Sequence, residues 1–237
     1  MLINKRVFYI RNQDPFPPVE ESLNDGLLAI GGDLSEERLI NAYSNGIFPW
    51  YDERSPIMWY SPLERCLFKP DSFKVSHSLR QKLRNRQFTF TFDHSFKEVI
   101  KLCASTNRNG DSGTWITPEM MAAYTSLHQS GYAHSLEVWH NGQLAGGLYG
   151  VSLGKAFFGE SMFHSVTDAS KAALYYLCNQ LFNDGYHFID AQMETSHLLS
   201  LGAVVVQRSA YLTMLNDALK HPTRQGVWLN NNNENDE

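Results

Sequence analysis

Hydrophobic residues alternate with polar ones over three consecutive stretches in the second half of the chain. A period of two is typical of β-strands, whose side chains point to opposite faces in turn. The first two stretches, residues 133–140 and 143–151, meet at Asn141-Gly142, a dipeptide that strongly favours a tight hairpin turn. The third stretch spans residues 155–163. The pattern therefore predicts an antiparallel meander of three strands.

A helical period follows the meander. Its apolar positions fall on one stripe, and they are Leu174, Leu177, Cys178, Leu181 and Phe182. Asp168 is the expected N-cap, and Asp184-Gly185 ends the helix. Another strand is expected at residues 188–192. Because a helix of about 16 residues is long enough for a right-handed crossover, this strand should lie parallel to the strand at 155–163.

The rest of the chain is expected to divide into two domains and a tail. Asp33 followed three residues later by Glu36 resembles a capping box. The other expected elements are helices at 35–45, 76–85, 95–105 and 117–130 and a strand at 87–92. The expected division is a small N-terminal α/β domain at 1–63, a larger domain at 64–229 and a disordered tail at 230–237 without apolar residues.

The composition excludes secreted and membrane-spanning classes. A chain of 237 residues can bury its own core, and its three cysteines form no C-x-x-C pair, which fits a reducing compartment. Charge interrupts the start of the chain, and no apolar run approaches the roughly 18 residues of a membrane span. We therefore expect a cytoplasmic monomer without a membrane partner.

The chain has a net charge of −5, but basic residues are in excess over one short stretch. The overall charge argues against general affinity for nucleic acid. The predicted helix at 76–85 and the residues after it nevertheless carry four cations that could bind phosphates, Arg80, Lys82, Arg84 and Arg86. An ordinary solvated helix face explains the same residues equally well.

Three polar side chains are candidates for chemistry. In the predicted strand at 155–163, Phe158, Glu160 and Met162 share one face by alternation, and a carboxylate among such apolar residues needs a cation or a ligand. Asp190 and Gln192 share a face at the carboxyl end of the next strand, where open α/β sheets bind ligands. The three groups are expected to converge on one crevice, although a purely structural network remains an alternative.

Other kinds of site are less well supported. Ser152 lies in a G-x-S-x-G sequence, and Ser152, Asp190 and His197 occur in hydrolase order, but a strand and not a helix follows Ser152. The histidines and cysteines lack the spacing of metal sites, and no phosphate-binding P-loop occurs, so no metal and no cofactor are expected. The substrate must therefore arrive already activated.

A series of short motifs resembles one family closely, the leucyl/phenylalanyl-tRNA–protein transferases. The resemblance extends over residues 20–205. The motifs, in chain order, are GGDLS (31–35), GIFPW (46–50), WYSP (59–62), GTWI (113–116), HSLEVW (134–139), GGLYG (146–150), GESMF (159–163), ASK (169–171) and SLGA (200–203).

The resemblance implies a fold, a reaction and two substrates. The fold would be an α/β (α+β) sheet like that of GNAT acetyltransferases, with flanking helices and a small N-terminal domain. The reaction would move Leu, Phe or less readily Met from aminoacyl-tRNA to proteins that begin with Arg or Lys, and so mark them for degradation. The family's Asp-Cys-Gln segment stands here as Asp190-Ala191-Gln192, which lacks the thiol but keeps both polar groups.

The chemistry of this reaction leads to a hypothesis for the roles of the three polar candidates, and the resemblance points to an apolar pocket. The Gln192 amide oxygen would accept a hydrogen bond from the attacking amine, Asp190 would orient Gln192, and Glu160 would pair with a cationic group of a substrate. Asp190→Ala is expected to cut turnover without unfolding the protein. Leu148, Phe157, Leu174, Leu177 and Ile189 would form the pocket for the transferred side chain, or plain core.

Trp50 and Trp115 would flank the terminal adenosine of the tRNA, or else form core between domains.

Two alternatives to the transferase are kept: an acyl-coenzyme A-dependent N-acyltransferase of the GNAT type, and a tRNA-binding module without catalysis. The first alternative is disfavoured, because this chain lacks the Q/R-x-x-G-x-G/A loop that coenzyme A binding requires before the crossover helix.

Overall fold

The computed structural model describes residues 6–106 and 115–229 and contains two sheets. The larger sheet has seven strands in the order β11-β5-β10-β9-β8-β7-β6. Its strands are β5 (Glu64–Phe68), β6 (Thr89–Phe92), β7 (Ala133–His140), β8 (Gln143–Leu153), β9 (Ala156–His164), β10 (Phe188–Asp190) and β11 (Val204–Gln207). Five of these seven strands were predicted, and β5 and β11 were not.

The centre of the large sheet follows the predicted topology. Strands β6, β7, β8 and β9 pair antiparallel in sequence order, and β10 pairs parallel with β9, as the crossover helix requires. On its other side β10 pairs antiparallel with β5, where Asp190 lies opposite Leu67. The sheet is therefore mixed, and β10 lies near its middle.

The smaller sheet lies entirely within the first 60 residues. Its order is β1-β2-β4-β3, with β1 and β2 parallel and the other pairs antiparallel. The strands are β1 (Phe8–Ile10), β2 (Leu27–Gly31), β3 (Phe48–Pro49) and β4 (Met58–Tyr60).

Seven α-helices complete the described chain, and five of them were predicted. They are α1 (Glu36–Ser44), α2 (His77–Arg84), α3 (Phe96–Ser105), α4 (Pro118–Gln129), α5 (Ala169–Asn183), α6 (Ser196–Ser200) and α7 (Arg208–Ala218). Side-chain caps fix several starts: Ser35 accepts the N–H of Arg38, and Thr117 accepts that of Met120.

Two expected caps have other roles. Asp33 lies two residues before Ser35 and accepts its N–H, so Ser35 and not Asp33 is the N-cap of α1. Asp168 occupies the N-cap position of α5, but its carboxylate binds two lysine ammonium groups and caps no backbone N–H. An ion pair satisfies a carboxylate as well as a cap does, and the sequence does not distinguish the two.

Two clusters of buried side chains cover the faces of the large sheet. Phe157 and Phe158 are neighbours in β9 and belong to different clusters, because successive strand residues point to opposite faces. The first cluster, with Phe158, also contains Tyr43 of α1 and Trp59 of β4. The N-terminal elements therefore pack on this face, while α5 packs on the second cluster.

The described helices are all too short or too polar to cross a lipid bilayer. The predicted tail at 230–237 lies outside the described residues.

Candidate active site

Asp190 ends β10 and is completely buried. Its carboxylate forms an ion pair with Arg65 of β5, through Nε to Oδ1 at 3.3 Å and through a contact of Nη2 with Oδ2. Tyr211 Oη of α7 donates to the same Oδ2 at 2.8 Å. A buried carboxylate is costly unless it is paired and hydrogen-bonded, and Asp190 has both kinds of partner.

Arg65 connects this ion pair to the N-terminal elements. Its Nη1 donates to the carbonyl oxygen of Gly46 at 2.8 Å. The guanidinium also lies over the rings of Phe48 and Tyr211, at 4.9 and 4.4 Å from the centroids. Burial alone would lower the pKa of Arg65, but the charge of Asp190 raises it above its ordinary value. The guanidinium therefore stays charged and neutralises Asp190.

Gln192 follows β10 in a left-handed backbone conformation, with φ of 60°. This conformation is uncommon for a residue other than glycine. The backbone N–H of Gln192 donates to Asp190 Oδ1 at 2.8 Å, which holds the main chain in place. The side-chain Nε2 donates to Glu160 Oε1 at 2.7 Å. Asp190 thus binds the backbone of Gln192, whereas the expected role of Asp190 requires contact with the side-chain amide.

Glu160 lies at an irregularity in β9. Tyr149 pairs with Ser161 and the next residue, Gly150, pairs with Gly159, so Glu160 is the extra residue of a β-bulge. The expected alternation is wrong here: Glu160 faces the first cluster with Phe158, whereas Met162 packs against the second. A bulge shifts the alternation by one residue, and strict period-two counting cannot detect it.

Neutral donors surround the carboxyl group of Glu160. Tyr43 Oη donates at 2.7 Å, Tyr124 Oη at 3.0 Å and Gln192 Nε2 at 2.7 Å. Burial raises the pKa of Glu160 to about 7, although these three hydrogen bonds work in the opposite direction. Within residues 6–106 and 115–229, no cation forms an ion pair with Glu160.

Four residues of the site were missed by sequence reasoning: Arg65, Tyr211, Tyr43 and Tyr124. A signal existed for Arg65, since an arginine beside the apolar run Cys66-Leu67-Phe68 needs a partner if the run is a strand. The tyrosines gave no signal, because a buried tyrosine is ordinary core in any helix.

The five apolar candidates lie together. Leu148, Phe157, Leu174, Leu177 and Ile189 all belong to the second cluster and are at most 6% exposed. Ile189 immediately precedes Asp190 in β10, so their side chains point to opposite faces of the sheet, and this cluster lies on the face away from Asp190 and its partner Tyr211. The two roles considered, substrate pocket and plain core, are both compatible with this position.

The two candidate tryptophans differ in exposure. Trp50 is 43% exposed and its ring contacts Tyr60 edge-on at 5.5 Å. Trp115 is partly buried and packs against the first cluster. Trp50 therefore presents a free aromatic surface and Trp115 a more covered one.

The basic candidates are not equivalent. Arg80, Arg84 and Arg86 are exposed. Lys82 instead binds Asp168 Oδ2 at 2.8 Å and the carbonyl oxygen of Thr167 at 2.9 Å, so it fastens α2 to the start of α5. Three of the four cations are thus available to phosphates and one has a structural partner.

The hydrolase interpretation is wrong. Ser152 lies within β8, is fully buried, and shares a hydrogen bond of 2.8 Å with Tyr186 Oη. A nucleophilic serine must be exposed on a sharp turn between a strand and a helix. Among the described residues, no group of three or more His, Cys, Asp or Glu side chains is placed to hold a metal ion.

Comparison with known proteins identifies the family. A family model described as leucyl/phenylalanyl-tRNA protein transferase matches residues 67–216, and one described as the N-terminal domain of that transferase matches residues 32–63. The chain belongs to the leucyl/phenylalanyl-tRNA–protein transferase family. It is therefore an aminoacyltransferase, as the resemblance implied, with aminoacyl-tRNA and protein as its substrates.

Curated relatives agree along nearly the whole chain. A leucyl/phenylalanyl-tRNA–protein transferase of Maridesulfovibrio salexigens is 54% identical over 224 residues, which cover 94% of this chain and 93% of the relative. One from Legionella pneumophila is 50% identical over 213 residues, which cover 90% of this chain and 95% of the relative.

Solved structures with related folds include a GCN5-related N-acetyltransferase-like protein from Streptococcus suis, with a TM-score of 0.34 and 15% identity over 76% of this chain and 67% of the other. L-PGS from Bacillus licheniformis gives a TM-score of 0.40 and 12% identity over 71% of this chain and 54% of the other. These scores are low, so the assignment to the transferase family depends on the sequence relatives.

Proposed function

We propose that this transferase moves Leu, Phe and less readily Met from aminoacyl-tRNA to the N-terminal α-amine of proteins that begin with Arg or Lys. The products would carry N-termini that mark proteins for degradation in the cytoplasm. The observation that supports the proposal most is the placement of Gln192, held by Asp190 through its backbone and by Glu160 through its amide, in a chain of this family.

The reaction converts an ester into an amide without another source of energy. The amine nitrogen forms a bond to the ester carbonyl carbon, the bond from that carbon to the ribose oxygen breaks, and the proton lost by nitrogen ends on the ribose oxygen. An α-amine has a pKa of about 7.7 to 8.0, so a fair fraction is already neutral near pH 7. Catalysis thus depends mainly on positioning the two reactants.

Gln192 is the group proposed to position the amine. Its amide nitrogen donates to Glu160, which leaves the amide oxygen as an acceptor for an N–H of the attacking amine. Asp190 would act indirectly by fixing the backbone of Gln192, and Arg65 by fixing Asp190. Glu160 would set the orientation of the amide plane.

The donor is proposed to bind through an apolar surface for its side chain and an aromatic surface for its terminal adenosine. The cluster of Leu148, Phe157, Leu174, Leu177 and Ile189 would receive the transferred side chain, and its composition suits Leu and Phe. One methylene changes binding by only about 1 to 3 kcal/mol, so related apolar side chains would be rejected incompletely. Trp50 would stack on the terminal adenosine, and Trp115 would flank it.

The two substrates differ in charge, and so do the surfaces proposed for them. Arg80, Arg84 and Arg86 would hold tRNA phosphates. On α1, Glu36 and Glu37 line a surface groove of about 570 Å³, and Tyr43 of the same helix reaches Glu160. The groove lies on the outer face of α1 and Tyr43 on its buried face, and the negative charge of the groove would attract an acceptor with a basic first residue.

A transfer assay tests this proposal. Purified protein is incubated with Leu-charged or Phe-charged tRNA and with four peptides that differ only in a first residue of Lys, Arg, Asp or Ala, and the products are weighed by mass spectrometry. We expect a gain of one Leu or Phe residue on the Lys and Arg peptides alone. The Lys peptide with an acetylated N-terminus is the matched control and should gain nothing.

Equal mass gains on all four peptides would contradict the proposed preference for Lys and Arg. They would not contradict the proposal that aminoacyl-tRNA is the donor. A gain on the acetylated Lys peptide would show transfer to the side chain and would contradict the proposed α-amine acceptor.

A further inference from the structure

Two tyrosine hydroxyls and the carboxyl group of Glu160 form a closed set of contacts. Tyr43 Oη lies 2.7 Å from Glu160 Oε1, Tyr124 Oη lies 3.0 Å from Oε2, and the two hydroxyl oxygens contact each other. Each hydroxyl has one proton to donate. Three oxygen–oxygen contacts therefore require three protons, and the two tyrosines supply two of them.

The carboxyl group is the source of the third proton. With Glu160 ionised, both hydroxyls would donate to it, and their oxygens would face each other without a proton between them. With Glu160 neutral, the hydrogen bond between Tyr124 and Glu160 reverses its direction: Oε2 donates to Tyr124, Tyr124 donates to Tyr43, and Tyr43 still donates to Oε1. Every contact is then a hydrogen bond, and the second lone pair of Oε1 still accepts from Gln192 Nε2.

We propose that Glu160 binds a proton in the resting site near neutral pH, and that the protonated form makes the site select the uncharged form of the acceptor amine. The second part depends on the function proposed above. The first part is a property of the free protein and can be measured without any substrate.

Burial and nearby charge favour this state, although the hydrogen bonds from Tyr43, Tyr124 and Gln192 lower the pKa of Glu160. Burial, the largest influence, raises the pKa of Glu160 to about 7, and the charge of Asp190 on β10 acts in the same direction. Arg65 on β5 is committed to Asp190 and forms no ion pair with Glu160. Burial also raises the pKa of Tyr43 and Tyr124 far above the ordinary value, so both hydroxyls keep their protons.

Another titratable neighbour among the described residues is Tyr149 of β8, whose ring meets that of Tyr124 edge-on at 5.6 Å. A phenol adds no charge near neutral pH, so Tyr149 changes nothing in the balance.

A crevice without net charge discriminates between the two forms of an amine. Arg65 and Asp190 cancel, and a neutral Glu160 adds no charge. An ammonium ion would then be desolvated without a counter-ion, which is unfavourable, whereas a neutral amine would not. Only the neutral amine has the lone pair that attacks the ester. This role replaces the expectation that Glu160 pairs with a cationic group of a substrate.

Infrared difference spectroscopy tests the protonation state. The wild-type protein and Glu160→Gln are titrated from about pH 5 to about pH 9, a range above the ordinary pKa of exposed carboxyl groups. We expect a carbonyl band of a protonated carboxyl group that disappears with a midpoint of about 7 in the wild type and is missing in Glu160→Gln. Identical titrations of the two proteins would overturn the proposal.

Transfer kinetics test the consequence. Gln presents a neutral donor and an acceptor where neutral Glu160 has its own, so Glu160→Gln should lose much less of its kcat/KM near pH 7 than Glu160→Ala, which should lose about a hundredfold. As pH rises, deprotonation of the amine should increase the wild-type rate. Deprotonation of Glu160 over the same range should make that increase smaller. The rate of Glu160→Gln should increase fully with pH, because Gln has no proton to lose in this range.

A loss of about a hundredfold in both variants, with both still folded by circular dichroism, would mean that the anionic carboxylate is required and would overturn the proposal. If the wild-type protein itself transferred nothing, the proposed function would fail, while the infrared titration would still decide whether Glu160 holds a proton.

Discussion

Arg65 and Asp190 are paired where solvent does not reach, with 1% and 0% of their side chains exposed. Such a pair adds little net stability, but removal of one partner leaves the other charge buried without compensation. The pair also fixes Gln192, because Asp190 Oδ1 accepts its backbone N–H. Asp190 therefore combines a structural and a functional role, which the sequence did not separate.

Asp190→Ala should for this reason unfold more easily, in contrast to the expectation from the sequence. We expect the free energy of unfolding to fall by about 3 to 5 kcal/mol, since Arg65 keeps its charge in the interior. Urea denaturation followed by circular dichroism measures the loss. Asp217→Ala is the control, because Asp217 is exposed in a surface pair with Lys220 and its removal should leave the unfolding midpoint unchanged.

An unfolding free energy for Asp190→Ala equal to that of the wild type would contradict this account of the pair. Loss of activity by Asp190→Ala should accordingly be interpreted only together with its stability.

Helix α2 combines two kinds of cation. Arg80 and Arg84 are exposed, whereas Lys82 is bound to Asp168 at the start of α5. Binding to phosphates releases counterions, so affinity for tRNA should fall linearly with the logarithm of salt concentration. The exposed arginines should contribute to that slope and Lys82 should not.

Substituting Arg80 and Arg84 together by Gln should weaken binding to charged tRNA and reduce the salt slope by roughly 1 to 2. Lys82→Gln is the matched control: its salt slope should stay near the wild-type value, although its thermal unfolding should shift. Filter binding at several salt concentrations gives the slopes. An unchanged slope in the double variant would show that Arg80 and Arg84 of α2 do not contact tRNA phosphates.

The elements that could be predicted are those with a local pattern. The β7-β8 turn at Asn141-Gly142 and the stripe of α5 are visible in the sequence, and together they predict the parallel pairing of β9 and β10. Strand β5 could not be predicted, because Arg65 interrupts its apolar pattern and its partner Asp190 lies 125 residues away. The bulge at Glu160 also depends on pairing with β8, which no single strand reveals.

The candidate site was predicted in the same uneven way. Asp190, Gln192 and Glu160 do converge, as their positions at neighbouring strands indicated. Their partners come from elements that are distant in sequence: Tyr43 from α1, Tyr124 from α4 and Tyr211 from α7. Such contacts depend on tertiary packing, so sequence patterns identified the polar groups without the network that holds them.

At the scale of the molecule, the two sheets meet at the site. The N-terminal domain supplies Tyr43 to the carboxyl group of Glu160 and the carbonyl oxygen of Gly46 to Arg65. The larger sheet supplies Asp190 and Glu160 from β10 and β9. Gly46 precedes β3, which leads to Trp50, so the proposed adenosine surface and the proposed amine acceptor are connected through Arg65.

The central claim is that the amide of Gln192 positions the attacking amine, and single-turnover transfer from Leu-charged tRNA to a Lys peptide tests it most directly. Gln192→Ala should slow transfer by about a hundredfold with little change in tRNA affinity or thermal unfolding, because the side chain is only partly buried. Gln180→Ala, which removes another partly buried glutamine, should transfer at the wild-type rate. A wild-type rate in Gln192→Ala would contradict the account.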